Sequence, residues 1–220
     1  MSCTENYTAL LEELKKAAGE REVKLLPVSK TVSAAVIREL YDAGVREFAE
    51  NRIEVLNPKV EELPKDICWH FIGRLQSNKV RKILKVAKVI HSVDSIELVE
   101  RIDRIAGEEN CKPEIYLEIS VSGEECKGGF PVARAVELAQ AAAKAENITL
   151  AGLMTMAPLE ADPDECRKVF SGLRTCRDMI EKELQITLPG LSMGMSNDWR
   201  EAVECGSTLI RVGSSIFHKE

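Results

Sequence analysis

No apolar run in this sequence approaches the roughly 18–20 residues that a helix needs to span a bilayer, so no membrane partner is expected. The opening Met1–Gly19 carries acidic residues at helical spacing, without the basic segment and apolar stretch of a secretory signal. Thirteen Gly and eight Pro in 220 residues are too few for a collagenous or largely disordered chain. No low-complexity segment, long linker or obvious repeat interrupts it. An excess of positive charge is also lacking. Thirty-six acidic against thirty basic side chains give a formal charge of −6, which argues against a general nucleic-acid binder, whose affinity rests on neutralising phosphates. The seven cysteines (Cys3, Cys68, Cys111, Cys126, Cys166, Cys176, Cys205) are odd in number and show no CxxC spacing. They are expected as reduced, mostly buried thiols rather than a disulfide framework or zinc site. His70, His91 and His218 are too dispersed to suggest a metal site, and His70 and His91, in short apolar runs, are read as packing residues. Nucleotide fingerprints of the GxGxxG or GxxxxGK type are absent. What survives these exclusions is a compact cytoplasmic protein.

Alternation is what the chain does have: a short apolar run, a polar or glycine-bearing turn, then a helical pattern. The runs are Lys24–Val28, Glu47–Ala49, Trp69–Gly73, Val89–Val93, Glu114–Val121, Thr149–Met154, Gly190–Met193 and Thr208–Val212. Several are β-branched and too short for helices. Between them, Ser33–Ala43 offers a cap at Ser33 and a stop at Gly44. Asp94–Ala106 opens with Asp94 and Glu97 at capping-box spacing. Arg167–Leu184 carries Phe170, Leu173, Ile180 and Leu184 on one stripe, and Asp198–Cys205 forms a short helix stopped by Gly206. Eight strand candidates separated by helices, with one helix before the first strand, predict an α/β fold: a single (β/α)8 TIM-type barrel over residues 1–220 with an extra N-terminal helix. A doubly wound open sheet is the alternative.

In such a barrel, functional groups sit just past the C-terminal ends of the strands. Those positions hold Lys30, Asn51, Arg74, Ser92, Ser120 and Ser122, Thr155, the segment Ser192–Ser196, and Gly213–Ser215. Lys30 ends the run Leu25-Leu26-Pro27-Val28-Ser29-Lys30 and is expected to reach the barrel mouth, partly desolvated. Neutral amines in such places attack aldehydes to form Schiff bases; a solvated lysine at a strand end is the bland reading. Leu191-Ser192-Met193-Gly194-Met195-Ser196-Asn197-Asp198 places small residues ahead of a short helix, and Arg211-Val212-Gly213-Ser214-Ser215 adds a glycine, two hydroxyls and a cation. Loops after strands seven and eight are the usual phosphate site of this fold. An amine beside a phosphate cradle suggests either a phosphosugar Schiff-base enzyme or a site for pyridoxal 5′-phosphate, and the residue types do not choose between them.

Pro27-Val28-Ser29-Lys30-Thr31, Phe48-Ala49-Glu50-Asn51, Trp69 through Lys79, Gly152-Leu153-Met154-Thr155-Met156-Ala157-Pro158, Leu191 through Trp199 and Arg211 through Phe217 together resemble the pyridoxal phosphate homeostasis protein family. The match runs in order over nearly the whole chain, and the stretches at Trp69–Lys79 and Leu191–Trp199 are its most distinctive parts. The resemblance implies a single-domain barrel of the alanine-racemase type without a C-terminal domain. It implies that Lys30 carries pyridoxal 5′-phosphate as a Schiff base and that Arg211 faces the pyridine nitrogen. The loop of Ser192, Met193, Gly194 and Ser196, with Gly213 and Ser214, would hold the phosphate, and Asn51 would lie near the ring face or its O3′ side. Two residues depart from the family pattern: Ala49 stands where Gly is usual and Arg74 where His is common. Ala49 is tolerable if its backbone is strand-like, since only a positive φ penalises Cβ. The tail His218-Lys219-Glu220 is expected outside the site.

The resemblance implies vitamin B6 homeostasis, buffering or delivering the cofactor with an indirect effect on amino-acid and keto-acid pools, and no assigned catalytic residue. An arginine opposite the pyridine nitrogen disfavours ring protonation and weakens the ring as an electron sink. Racemisation also needs a second base, and Tyr7, Tyr41 and Tyr116 read as packing residues. A slow amino-acid racemase is the alternative. The expected partners are the cofactor and apo forms of enzymes that use it, with the chain a monomer or weak dimer. Arg74–Lys88, with six basic and no acidic residues, is read as a solvated helix face rather than a nucleic-acid contact.

Overall fold

The computed structural model describes residues 2–121 and 129–217. Helix α1 (Cys3–Ala18) precedes the first strand, as expected, and begins with a reciprocal capping box. The Glu5 N–H donates to Ser2 Oγ and the Ser2 N–H to the Glu5 carboxylate. The strands then alternate with helices: β1 (Lys24–Pro27), α2 (Ala34–Asp42), β2 (Glu47–Glu50), α3 (Ile53–Glu62), β3 (Cys68–Phe71), α4 (Val80–Leu84), β4 (Val89–Val93), α5 (Ile96–Glu108) and β5 (Glu114–Ser120). A two-residue strand β6 (Phe130–Pro131) pairs with β5 off the main path, followed by α6 (Ala135–Lys144), β7 (Thr149–Met154), α7 (Pro163–Leu184), β8 (Gly190–Ser192), α8 (Trp199–Glu204), β9 (Leu209–Val212) and the single turn α9 (Ser214–Phe217).

Every strand pairing among the described residues is parallel, in the order β1-β9-β8-β7-β5-β4-β3-β2. A parallel bridge between Val28 and Ala49, with the Ser29 N–H donating to Ala49 O at 2.9 Å, joins the two ends. The α/β barrel of eight main strands is therefore nearly closed, and the open-sheet alternative is excluded. Because α9 is one turn, α1 packs against α8, α9 and α2 and completes the helical ring there, tied by the Asn6 side chain to Ile216 O at 3.1 Å.

Two helix starts differ from the sequence reading. Helix α5 is capped by Ser95, whose hydroxyl accepts from Leu98 N–H, not by Asp94. Helix α7 begins at Pro163 rather than Arg167, because Asp162 and Glu165 form a capping box with Pro at the first helical position. The main apolar core fills the layer between sheet and helices, with Phe48, Ile37, Leu40, Ile90, Ile115, Phe170 and Leu191 fully buried. Two small clusters lie apart from it: Leu26, Val28, Ala49 and Leu209, and Val89, Tyr116 and Met154. These fill the barrel interior.

Candidate functional site

Side chains alternate across a strand, so the interior clusters fix which residues point inward. Leu26 and Val28 at β1, Ala49 on β2 and Leu209 on β9 point into the barrel, and Arg211 shares the phase of Leu209. Lys30, Asn51, Arg74 and Gly213 follow just past the C-terminal ends of β1, β2, β3 and β9. The sequence-predicted positions after strands one, two, three and eight thus converge on one mouth. Ala49 sits within β2 and is not among the positive-φ residues, so its departure from glycine costs nothing in the backbone.

Arg211 is the centre of the arrangement and is 4% exposed. Its Nη1 donates to Ser192 Oγ at 2.7 Å, its Nη2 to Thr155 O at 3.1 Å, and its backbone N–H to Gly194 O at 2.9 Å. Burial lowers its pKa to about 10, opposed by Asp198 and Glu118, so it stays cationic at neutral pH. Among the described residues its direct partners are neutral, and no carboxylate there cancels the charge at contact distance. Glu118, on β5, is pushed up to about 7 by burial and by Asp94, against the pull of Arg211 and Arg74.

The loop after β8 is built on close packing. Gly194 has φ +96°, and a Cβ there would stand 2.6 Å from Ala202 Cβ, so only glycine fits without displacement. Ser207 Oγ donates to Met193 O at 2.7 Å, and the Met195 N–H donates to Asp198 Oδ1 at 2.5 Å. Ser192 and Met193 are fully buried, whereas Ser196 is half-buried at the rim. Ser192 therefore lies beneath the loop and against Arg211, not on the loop's open face. Beside this loop, after the neighbouring strand β9, a Cβ on Gly213 would meet Val28 O at 3.1 Å, which seats Gly213 against the strand exit that delivers Lys30. Ser214 and Ser215 follow, exposed; the Ile216 and Phe217 N–H groups donate to Gly213 O, both at 3.0 Å, which leaves those of Ser214 and Ser215 without an intrahelical acceptor. Gly73 packs on the backbone of Asn51, where a Cβ would fall 2.0 Å from Asn51 O.

Lys30 is exposed, which corrects the expectation of a partly desolvated amine. The residue before it is not: Ser29 Oγ donates to the buried Glu50 carboxylate at 2.8 Å, and Ser29 O accepts from Lys59 Nζ at 2.7 Å. Ser122 and the tail from His218 lie outside the described residues. On the Arg74–Lys88 stretch, Val80, Ile83 and Leu84 are buried, Lys79 pairs with Glu54 and Arg81 with Glu108 and Glu109. That is the geometry of a solvated helix face. The six described cysteines are free thiols, and no described helix is long and apolar enough to cross a membrane.

The sequence reading missed the polar interior. His70 Nδ1 and His91 Nε2 are 2.9 Å apart, His91 Nδ1 lies 2.8 Å from Ser192 Oγ, and His70 Nε2 faces Glu47 at 3.3 Å. These histidines are hydrogen-bonded groups, not plain packing residues. The signal was available in strand phase: His70 alternates with Ile72 and Arg74, and His91 with Val89.

A family model described as "Alanine racemase, N-terminal domain" matches residues 4–220. A pyridoxal phosphate homeostasis protein of Aquifex aeolicus is 39% identical over 223 residues, covering 99% of this chain and 98% of that one. One from Synechocystis is 41% identical over 198 residues, covering 89% and 90%. PipY of Synechococcus elongatus superposes without PLP at TM-score 0.90 and 40% identity, covering 98% of this chain and 99% of that one. With PLP bound, PipY superposes at TM-score 0.88 and 39% identity, covering 98% and 100%. With the barrel, its inward phase and its Gly/Ser loops already in place, these likenesses over nearly full length place the chain in the pyridoxal phosphate homeostasis protein family, whose barrel is the alanine racemase N-terminal domain.

Proposed function

We propose that this chain binds pyridoxal 5′-phosphate at the C-terminal mouth of its barrel and serves vitamin B6 homeostasis, buffering the cofactor or delivering it to apo enzymes. The effect on amino-acid and keto-acid pools is then indirect. The observation that carries the reading is the convergence on one mouth of an exposed amine, a buried cation with neutral partners, and two Gly/Ser loops. That donor set fits the cofactor, and the likeness to PipY with PLP bound supports it.

When bound, the cofactor supplies an aldehyde that condenses with a lysine amine, releasing water, to give a Schiff base. Lys30 is the amine that holds it. Arg211, which only donates hydrogen bonds, sits at the pyridine nitrogen and keeps a proton off it. Ser196, Gly213 and Ser214 bind the phosphate through hydroxyls and free N–H groups. Gly194 and Met193 shape the loop from below, Ser192 orients Arg211, and Asn51 borders the ring near its O3′ side. The working unit is a monomer or weak dimer in the cytoplasm, a compartment that the free thiols favour. In this reading the chain is a carrier rather than an enzyme, because an arginine at the ring nitrogen limits carbanion chemistry.

A second reading, a slow amino-acid racemase, is favoured by Glu118, a carboxyl held at about 7 in the same interior. The test is direct. Mixed with pyridoxal 5′-phosphate, the purified chain should show a visible band that borohydride fixes with the mass of the reduced adduct on Lys30. Lys30→Ala should lose both. Adduct formation elsewhere with Lys30 unmodified overturns the reading, and Lys30-dependent racemisation of L-alanine above trace turnover replaces the carrier with the enzyme.

A further inference from the structure

The interior histidines belong to one continuous set of contacts that joins the two mouths of the barrel. Arg211 Nη1 meets Ser192 Oγ at 2.7 Å, Ser192 Oγ meets His91 Nδ1 at 2.8 Å, His91 Nε2 meets His70 Nδ1 at 2.9 Å, and His70 Nε2 meets Glu47 Oε2 at 3.3 Å. Ser192 and His91 are fully buried and His70 is 4% exposed. His70 and Glu47 sit at the N-terminal mouth, opposite the Lys30 site, where His70 borders a cavity of about 440 Å³.

The ends of this set fix its direction. A guanidinium only donates and a carboxylate only accepts. Ser192 Oγ accepts from Arg211 and still has its own hydrogen to give; with the Glu47 carboxylate taking the His70 Nε2 hydrogen and both rings neutral, that hydrogen goes to His91 Nδ1. A neutral His91 then carries its hydrogen on Nε2 and donates it to His70 Nδ1. His70 likewise carries its hydrogen on Nε2 and donates it to Glu47. The reverse order sets a bare His70 nitrogen against the carboxylate oxygens. Tyr116 stacks on His91 at 4.5 Å between ring centroids and holds the plane of the relay.

We propose that Glu47, His70 and His91 are positioning residues for the ligand site: through Ser192 they orient the Arg211 guanidinium and couple it to protonation at the opposite mouth of the barrel. The inference deepens the proposed cofactor-binding function and rests on it for its biological meaning. One added proton has a defined effect. A doubly protonated His70 keeps its bond to Glu47 and donates from Nδ1 to His91 Nε2, so the His91 hydrogen moves to Nδ1 and is donated to Ser192. Ser192 Oγ then accepts from both His91 and Arg211, and its own hydrogen loses His91 as acceptor, which changes the contact that orients Arg211. The proton count rises by one, and the charge stays on His70.

The surroundings fit that assignment. His91 stays neutral: burial, then His70 and Arg211, hold its pKa well below the usual histidine value. Glu47 stays ionised, held at about 2 by the hydrogen bond from His70 and by Lys24, against its burial. The charged and titratable groups around His70 are Glu22 and Lys24 at the start of β1, Glu47 on β2, Cys68 on its own strand, Lys88 ahead of β4, and Glu114 and Tyr116 on β5, with His91 above.

The test combines two readouts on the full chain. Nitrogen-15 NMR without added ligand should find both histidines as Nε2–H tautomers near pH 8. Glu47→Gln, a change at the half-exposed far mouth, should move the Arg211 guanidinium resonances. Titration with pyridoxal 5′-phosphate from pH 5.5 to 8.5 should then give different pH profiles for wild type and Glu47→Gln, with Lys30 still trapped by borohydride in both. His91→Asn, which can accept from Ser192 but not reach His70, should match the Glu47→Gln profile with affinity within about threefold of it. An Nδ1–H tautomer at either histidine near pH 8, unmoved Arg211 resonances, or superimposable profiles overturn the proposal. If wild type fails to take up the cofactor, the function assigned above falls, while the NMR readouts still decide the relay.

Discussion

Removing one half of the buried ion pair beneath Lys30 tests how that amine is presented. Glu50 is fully buried at the end of β2 and accepts from Lys59 Nζ at 2.5 Å and from Ser29 Oγ at 2.8 Å. Lys59, 6% exposed on α3, also donates to Ser29 O at 2.7 Å. Glu50 Oε2 is a buried side-chain atom without a partner among the described residues. Lys59→Met leaves a carboxylate in an apolar layer with only the Ser29 hydroxyl to solvate it, and breaking a buried pair in this way costs about 3–5 kcal/mol. Replacing both members, as in Glu50→Leu with Lys59→Met, removes the stranded charge. The double variant should therefore recover to within about 1–2 kcal/mol of wild type, the residual being the lost contacts of Ser29, whose hydroxyl still reaches Ala49 O at 3.2 Å. Chemical denaturation at pH 7.5 measures the stability ranking. Binding separates the two roles of the pair: the double variant folds, but its Ser29 carbonyl is free, and capture of pyridoxal 5′-phosphate should weaken by about tenfold, the equivalent of one lost charge-assisted hydrogen bond. A double variant as unstable as Lys59→Met, or one that folds and captures the aldehyde with wild-type affinity, refutes the reasoning.

Glu118 supplies a pH signature of stability. Its folded pKa, about 7, lies above the ordinary 4.5 because burial and Asp94 penalise the carboxylate, so between those values the native state binds more protons than the unfolded one. Wild type should lose stability relative to Glu118→Gln as pH rises from 4.5 to 7, by at most roughly 3 kcal/mol; parallel urea midpoints across that range would contradict the assignment. Gly73→Ala should lower the thermal midpoint by the equivalent of about 2–4 kcal/mol, because its Cβ would fall 2.0 Å from Asn51 O. Retention of the wild-type midpoint shows that this backbone contact does not hold Asn51 in place.

The eight main strands were legible because each is a short apolar run closed by glycine or a polar turn, and parallel pairing brings the positions just after them, Lys30 and Asn51 among them, to one mouth. Helix starts were less legible where two capping residues compete. Asp94 and Ser95 are adjacent, and only the backbone decides that the Ser95 hydroxyl reaches Leu98 N–H. The interior relay was missed for a different reason. His70 and His91 are 21 residues apart and meet on the neighbouring strands β3 and β4, while His91 and Ser192, 101 residues apart, meet only across the barrel interior. Single-position reasoning favours packing for a histidine in an apolar run, and it fails when several polar residues share the inward phase of neighbouring strands. The exposure of Lys30 was likewise set by the turn after β1, which no local pattern specifies.

The way Arg211 is satisfied bears on the choice between carrier and enzyme. A buried guanidinium is usually matched by a carboxylate, which cancels its charge. Here the hydrogen-bond partners are a hydroxyl and backbone carbonyls, while Asp198 and Glu118 act on it only through space. The cation is thus held in place at a cost of desolvation that a bound ligand can offset by accepting from it. That favours retention of a ligand that presents an acceptor to it, as the pyridine nitrogen would in the proposed binding mode. In the proposed binding mode the same side chain would keep the pyridine nitrogen unprotonated and so withdraw the electron sink that carbanion chemistry uses. Tight holding and fast catalysis therefore make opposite demands on this one side chain, and a donor-only residue fixed by neutral partners answers the first of them.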